Sequence, residues 1–164
     1  MAVFPPKDMA AMADYFRGEW LFTRTIWEGS ASPQATATGE LSFTTGALPG
    51  QLIYREQGQL RMVAAPARLI PFTRVFDYRF SADRLAVLFA DGERIGQPYQ
   101  DYLLQGQALM PAADHLCGPD CYTAAYTAHS ENSFTMDTSI QGPRKRTRVL
   151  TEFSRRFSLS ASPA

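Results

Sequence analysis

The chain has 164 residues, of which 45 % are apolar and 20 % charged, with 16 basic residues balanced by 16 acidic ones. That length suits one domain, and the apolar share excludes a disordered chain. Zero net charge argues against nucleic-acid binding driven by phosphate neutralisation, and no apolar run approaches the ~20 residues of a membrane span.

The start, MAVFPPKDMAAM, lacks the basic and apolar regions of a secretory signal, so a cytoplasmic location is expected. Pro5 and Pro6 lead into a helix over about 6–17. There Met9, Met12, Ala13 and Phe16 fall at i, i+3, i+4 and i+7 and draw one apolar stripe. Gly18 sits where the helix should stop.

After Gly18 the period becomes two. Trp20, Phe22, Arg24 and Ile26 share a face of the first strand, and Gly39, Leu41 and Phe43 share a face of a second over 36–44. Leu52–Gln57 and Gln59–Val63 read as two strands joined tightly at Gly58, and Pro66–Pro71 as a connection. Phe72–Ser81 is the clearest strand, with Phe72, Arg74, Phe76, Tyr78 and Phe80 alternating against Thr73, Val75, Asp77 and Arg79. Leu85–Phe89 follows, then the turn signal Asp91-Gly92. The stretch 93–119 carries weak signals, with one strand over Tyr99–Leu104. Cys121–His129, Phe134–Ile140 and Lys145–Phe157 complete the set, and residues 159–164 form a small polar tail expected to fray.

About nine or ten short strands predict an all-β protein, an antiparallel up-and-down barrel spanning about 19–158, with the helix closing one end. The whole of 1–164 is then a single barrel domain. A barrel of this size has room for one small ligand.

Several motifs carry a resemblance. Gly18-Glu19-Trp20 at the first strand resembles the calycins, which include lipocalins and fatty-acid-binding proteins. That likeness implies that Trp20 packs at the closed end against Arg155 or Arg156. The combination of Gly18-x-Trp20-x-Phe22-x-Arg24-x-Ile26, Tyr54-Arg55-Glu56-x-Gly58, Val87-x-Phe89-x-Asp91-Gly92, His115-x-Cys117-x-x-Asp120-x-Tyr122 and Gly142-Pro143-Arg144-Lys145 resembles a bacterial family of unknown function, family 6314, with a lipocalin-like barrel. The chain departs from that pattern at Glu93-Arg94-Ile95-Gly96 and at Met136. The resemblance implies a fold and a candidate site but no reaction.

Three clusters of side chains could carry chemistry. His115-Leu116-Cys117-Gly118-Pro119-Asp120-Cys121-Tyr122 holds both cysteines. It reads as an ordered turn, as ligand contacts through His115 and Tyr122, as a metal site through His115, Cys117, Cys121 and Asp120, or as a nucleophilic or redox site at Cys117. A Cys117–Cys121 disulfide fits poorly with an intracellular location. Neither a metal nor a cofactor is assigned. The second cluster places Arg24 and Arg74 among aromatic residues; if that face points inward, each guanidinium must meet a carboxylate (Glu56, Asp77 or Asp137) or a ligand anion, and otherwise the arginines lie at the barrel ends in water. The third, residues 144–148, has four basic residues in five positions and reads as a solvated hairpin.

The leading function is binding of a small, largely apolar and optionally anionic molecule inside the barrel. The binding residues expected are Arg24, Tyr54, Arg74, Tyr78, His115, Cys117, Tyr122 and Tyr126. One alternative is a small-molecule isomerase or hydrolase using His115, Cys117 and Tyr122 in the same cup. Another is an interaction module or homodimer.

Overall fold

The computed structural model describes residues 3–157 except 114, 118 and 119, and for 115–117 the backbone alone. Helix α1 (Met9–Phe16) is followed by β1 (Gly18–Glu28), β2 (Ala35–Thr45), β3 (Gln51–Met62), β4 (Ala65–Phe80), β5 (Leu85–Phe89) and β6 (Pro98–Gln105). Then come β7 (Ala108–Pro111), β8 (His115–Cys117), β9 (Asp120–Ser130), β10 (Ser133–Gly142) and β11 (Lys145–Arg155). Ten of these strands form a closed antiparallel up-and-down barrel: β1 to β7 in order, then β9, β10 and β11, which returns to β1. β8 is a short flap on β9, pairing His115 with Tyr122 and Cys117 with Asp120.

The helix forms where the sequence directs it. The Asp8 side chain accepts the Ala11 backbone N–H at 2.8 Å and caps the first turn. Met9, Met12, Ala13, Tyr15 and Phe16 are buried against the barrel end. Each large side chain among them contributes about 2 kcal/mol of transfer free energy. Gly18 then takes φ +122°, a conformation that side chains rarely adopt, and turns the chain into β1.

This end of the barrel is sealed by the packing that the calycin resemblance implies. Trp20 is fully buried and its indole N–H donates to the Phe16 carbonyl at 2.8 Å. The Arg155 guanidinium lies 4.0 Å from the centre of the Trp20 ring. It also donates to the carbonyls of Tyr15, Arg17 and Glu131. Arg155, not Arg156, takes the place; Arg156 instead pairs with Glu40 outside the barrel.

The strand count of ten holds, but its composition differs from the sequence reading. Gly58 does not join two strands. It lies inside β3, opposite Gly39 of β2, in a row that runs Phe22, Gly39, Gly58, Phe72 across β1 to β4. The two rings fold over the two glycines with centroids 6.3 Å apart. A Cβ on Gly39 would stand 2.2 Å from the Gln57 carbonyl oxygen and 2.7 Å from Phe22 Cζ. The glycines therefore make room for rings and are not turn residues. Likewise, residues 66–71 are not a connection but part of β4, paired with the outer half of β3. β7 and β8 lie in the stretch whose signals are weak.

Candidate functional site

The two-residue period sends alternate side chains of each strand inward. Near α1 these are aromatic and close-packed: Phe134 stacks on Phe153 at 4.2 Å, and Phe43 meets Phe16, Tyr54 and Tyr78. Away from α1 burial loosens. Along β1, Trp20 and Phe22 are buried while Arg24 and Ile26 are half-buried. Above the aromatic floor is a cavity of about 290 Å³. At ~30 Å³ per water this has room for about ten waters, or one small organic molecule. Its floor is Tyr54, Tyr78 and Tyr126, with Val87 opposite Tyr78, its upper walls include Ile26, Ile140 and Val149, and Arg24, Glu56, Thr138 and Thr151 supply polar groups.

Arg24 has an internal partner. Its Nη2 donates to Glu56 Oε2 at 2.8 Å, Nη1 to Oε1 at 3.4 Å, and Nε to Thr151 Oγ1 at 2.9 Å. β2 lies between β1 and β3, with Ala37 opposite Arg24, Leu41 opposite Glu56 and Gly39 between them, so the Arg24 side chain crosses one strand to reach its partner. The Phe22 ring lies 4.8 Å from the guanidinium carbon. Burial pulls the Arg24 pKa down, but the Glu56 carboxylate and Tyr54 outweigh it and the net shift is upward. The pair leaves the interior without net charge.

Arg74 stands apart from this pair. It is half-exposed at the cavity wall, with its Nε 3.5 Å from Asp91 Oδ1 and its guanidinium over the Phe76 and Phe89 rings. That separation counts as an ion pair, yet Arg74 Nε makes no hydrogen bond. The geometry is a long contact, which makes Asp91 a charge partner only. Asp77 and Asp137, the other partners considered for the arginines, pair instead with Arg79 and Arg148.

The phenols form one buried group. The hydroxyls of Tyr78 and Tyr126 are hydrogen-bonded to each other. The Tyr54 ring stacks on Tyr78 at 5.6 Å, and Tyr102 meets Tyr126 edge-on at 5.1 Å. Burial, first of all, pushes Tyr54, Tyr78, Tyr102 and Tyr126 well above the usual tyrosine range, with neighbouring charges and phenols adding to it. All four stay protonated through neutral pH.

The structure thus brings Arg24, Tyr54, Arg74, Tyr78 and Tyr126 to one cavity. Tyr122 is half-buried on the neighbouring strand, directly opposite the wall residue Ile140, and is not itself among the lining residues. The side chains of His115 and Cys117 lie outside the described residues, as do Gly118, Pro119 and the 159–164 tail. Among the described residues no group of three His, Cys, Asp or Glu is placed to hold a metal ion. Sequence reasoning missed Tyr99, Met136, Thr138 and Thr151 as lining residues. The last three sit at alternate positions of β10 and β11, so strand parity could have found them. Tyr99 is the extra residue at a register shift between β5 and β6, where parity breaks. The basic run 144–148 points outward: Arg144, Lys145 and Arg146 are exposed and Arg148 pairs with Asp137.

The sequence matches the Family of unknown function (DUF6314) over residues 16–155. The chain belongs to this family. No curated protein matches it in sequence. In fold it is similar to the S-type phycobiliprotein lyase CPES from Guillardia theta, at TM-score 0.68 and 10 % identity, over 93 % of this chain and 94 % of that one. It is also similar to a protein of unknown function from the DUF3598 family of Nostoc punctiforme, at TM-score 0.61 and 12 % identity, over 87 % of this chain and 48 % of that one. These likenesses establish the lipocalin-like barrel and carry no activity with them. No helix of the described residues is long and apolar enough to cross a membrane.

Proposed function

We propose that this DUF6314 member binds a small, largely apolar and uncharged molecule in the barrel interior. The observation that carries the reading is the 290 Å³ cavity between an aromatic floor and aliphatic upper walls, with its only deeply placed cation, among the described residues, already matched to Glu56. Pockets of this kind take their affinity from apolar contact and their orientation from a few polar groups. Fatty-acid-binding barrels use an interior arginine to hold a carboxylate; here an anion at Arg24 would lie against the Glu56 carboxylate. The neutral half of the expectation is therefore favoured over the anionic half.

The test is a pair of fluorescence titrations. N-phenyl-1-naphthylamine is neutral and brightens when it leaves water; 8-anilinonaphthalene-1-sulfonate is its anionic relative. The neutral probe should bind in a one-to-one complex and bind more tightly than the sulfonate. Thr138→Phe, which pushes a ring into the cavity, should abolish binding while leaving the circular dichroism spectrum unchanged. Tighter binding of the sulfonate, or neutral-probe binding that survives Thr138→Phe, would refute the reading.

A further inference from the structure

The buried phenols contain more protons than they have places for. Tyr78 and Tyr126 share one hydrogen bond, in which either oxygen can be the donor. Only one proton can lie between them. Tyr102 packs edge-on against Tyr126, and its hydroxyl is buried with no partner in hydrogen-bond geometry. Even if its hydroxyl and that of Tyr126 are counted as a contact, three phenols bring three protons to at most two oxygen–oxygen gaps. One O–H is left over whichever way the chain of donors runs. Tyr54 does not absorb it: among the described residues it makes no hydrogen bond to any of these three hydroxyls, and its own hydroxyl lies beside the Glu56 carboxylate, to which it donates.

The surplus donor can sit at either end of the group. At the Tyr102 end it is sealed in the core, 0 % exposed, with no acceptor among the described residues. A buried donor left unmatched is costly. At the other end Tyr78 and Tyr126 both line the cavity. The favourable arrangement therefore points the donor up, into the space where a ligand would lie.

We infer that the Tyr78–Tyr126 hydroxyl pair is the polar anchor of the cavity, and that it selects an apolar molecule with a neutral acceptor oxygen at its leading end, such as a ketone, aldehyde or amide carbonyl. This rests on the reading of the cavity as a binding site. The anchor supplies one donor and no formal charge, which suits a carbonyl better than a carboxylate. Arg24 is not available for the same task, since Glu56 and Thr151 take its inward donors.

The experiment uses two neutral probes of similar shape. N-phenyl-1-naphthylamine has no carbonyl. 6-Propionyl-2-dimethylaminonaphthalene is a ketone whose emission moves to longer wavelength when its carbonyl accepts a hydrogen bond. The full chain should bind both, and the bound ketone should emit as a hydrogen-bonded carbonyl. In Tyr78→Phe/Tyr126→Phe the ketone should bind roughly three- to tenfold more weakly, the worth of one hydrogen bond, with its emission moved to shorter wavelength. The amine, which has no carbonyl, should lose less affinity than the ketone. Unchanged ketone affinity and emission in that variant, with amine binding intact, would overturn the anchor while leaving the cavity reading in place. Failure of the wild-type chain to bind either probe would overturn both. The infrared carbonyl stretch of the ketone bound to the wild-type chain tests the anchor without any variant. A shift to lower wavenumber supports the anchor, and the frequency found in an alkane solvent contradicts it.

Discussion

Replacing Glu56 by Leu isolates the interior ion pair. Glu56 is 6 % exposed and its carboxylate accepts from both terminal nitrogens of Arg24. Removing it leaves a guanidinium whose side chain is only 18 % exposed. Breaking a buried pair on one side costs about 3–5 kcal/mol. Arg24 keeps its bond to Thr151 and its position over Phe22, so the lower figure, about 3 kcal/mol, is expected. For a chain of this length that lowers the melting temperature by roughly 6–12 °C. The double variant Arg24→Met/Glu56→Leu removes both charges and fills similar volume, so it should return to within about 1 kcal/mol of the wild type. Urea denaturation of the wild type, the two single variants Arg24→Met and Glu56→Leu, and the double variant gives the coupling energy directly. The reasoning fails if Glu56→Leu alone stays within about 0.5 kcal/mol of the wild type. It fails equally if the double variant is as unstable as the single one. The double variant should also keep its affinity for the neutral probe, because no ligand charge depends on Arg24.

Three further outcomes follow from the same geometry. Gly39→Ala drives a methyl group into the Gln57 carbonyl and Gly58 backbone, so no rotamer change relieves it, and a loss of at least ~3 kcal/mol should appear in thermal melts. Arg155→Met removes the donors to Tyr15, Arg17 and Glu131 and the cation over Trp20. It should cost about 2–3 kcal/mol in urea denaturation, and Arg155→Lys should recover little, because an ammonium cannot reproduce the fork. The buried phenols make the protein sensitive to alkali. Tyr54, Tyr78, Tyr102 and Tyr126 hold their protons in the fold above the pH, near 10, at which unfolded tyrosine ionises. The folded state then binds more protons, so stability is full below about pH 10 and falls above it by up to ~1.4 kcal/mol per pH unit for each tyrosine. Urea midpoints that do not decline between about pH 9 and 11 would contradict this.

Much of the fold was legible because strand parity and helix periodicity survive in most elements. Met9, Met12, Ala13 and Phe16 mark the face that α1 buries, and Phe72 to Phe80 mark the inward face of β4. The Gly18-x-Trp20 start also carried information beyond local pattern, since the Trp20–Arg155 contact closes the barrel where the calycin likeness places it. Gly58 misled because a glycine that accommodates rings from strands β1 and β4 looks, in one dimension, like a glycine in a turn. The outer half of β4 was obscured by two prolines, which normally argue against a strand. β7 is only four residues long and β8 three, too short for any period to show.

The candidate site was legible in part for the same reason. Arg24, Tyr54, Tyr78 and Tyr126 each occupy an inward parity position, and the rule finds them. Their partners depend on the cross-strand register, which one strand does not reveal. Glu56 was one of three carboxylates open to Arg24, and Asp91 was not among those considered for Arg74. The Tyr78–Tyr126 hydrogen bond joins residues 48 apart in sequence, and nothing local in either strand signals it.

The most direct test of the central claim is native mass spectrometry of the chain purified gently from its own host, beside its Thr138→Phe variant. The account predicts one small neutral organic molecule per wild-type chain, released on denaturation and missing from the variant. A molecule retained equally by the variant, a released anion, or a bare wild-type chain that also fails to take up either neutral probe would contradict it.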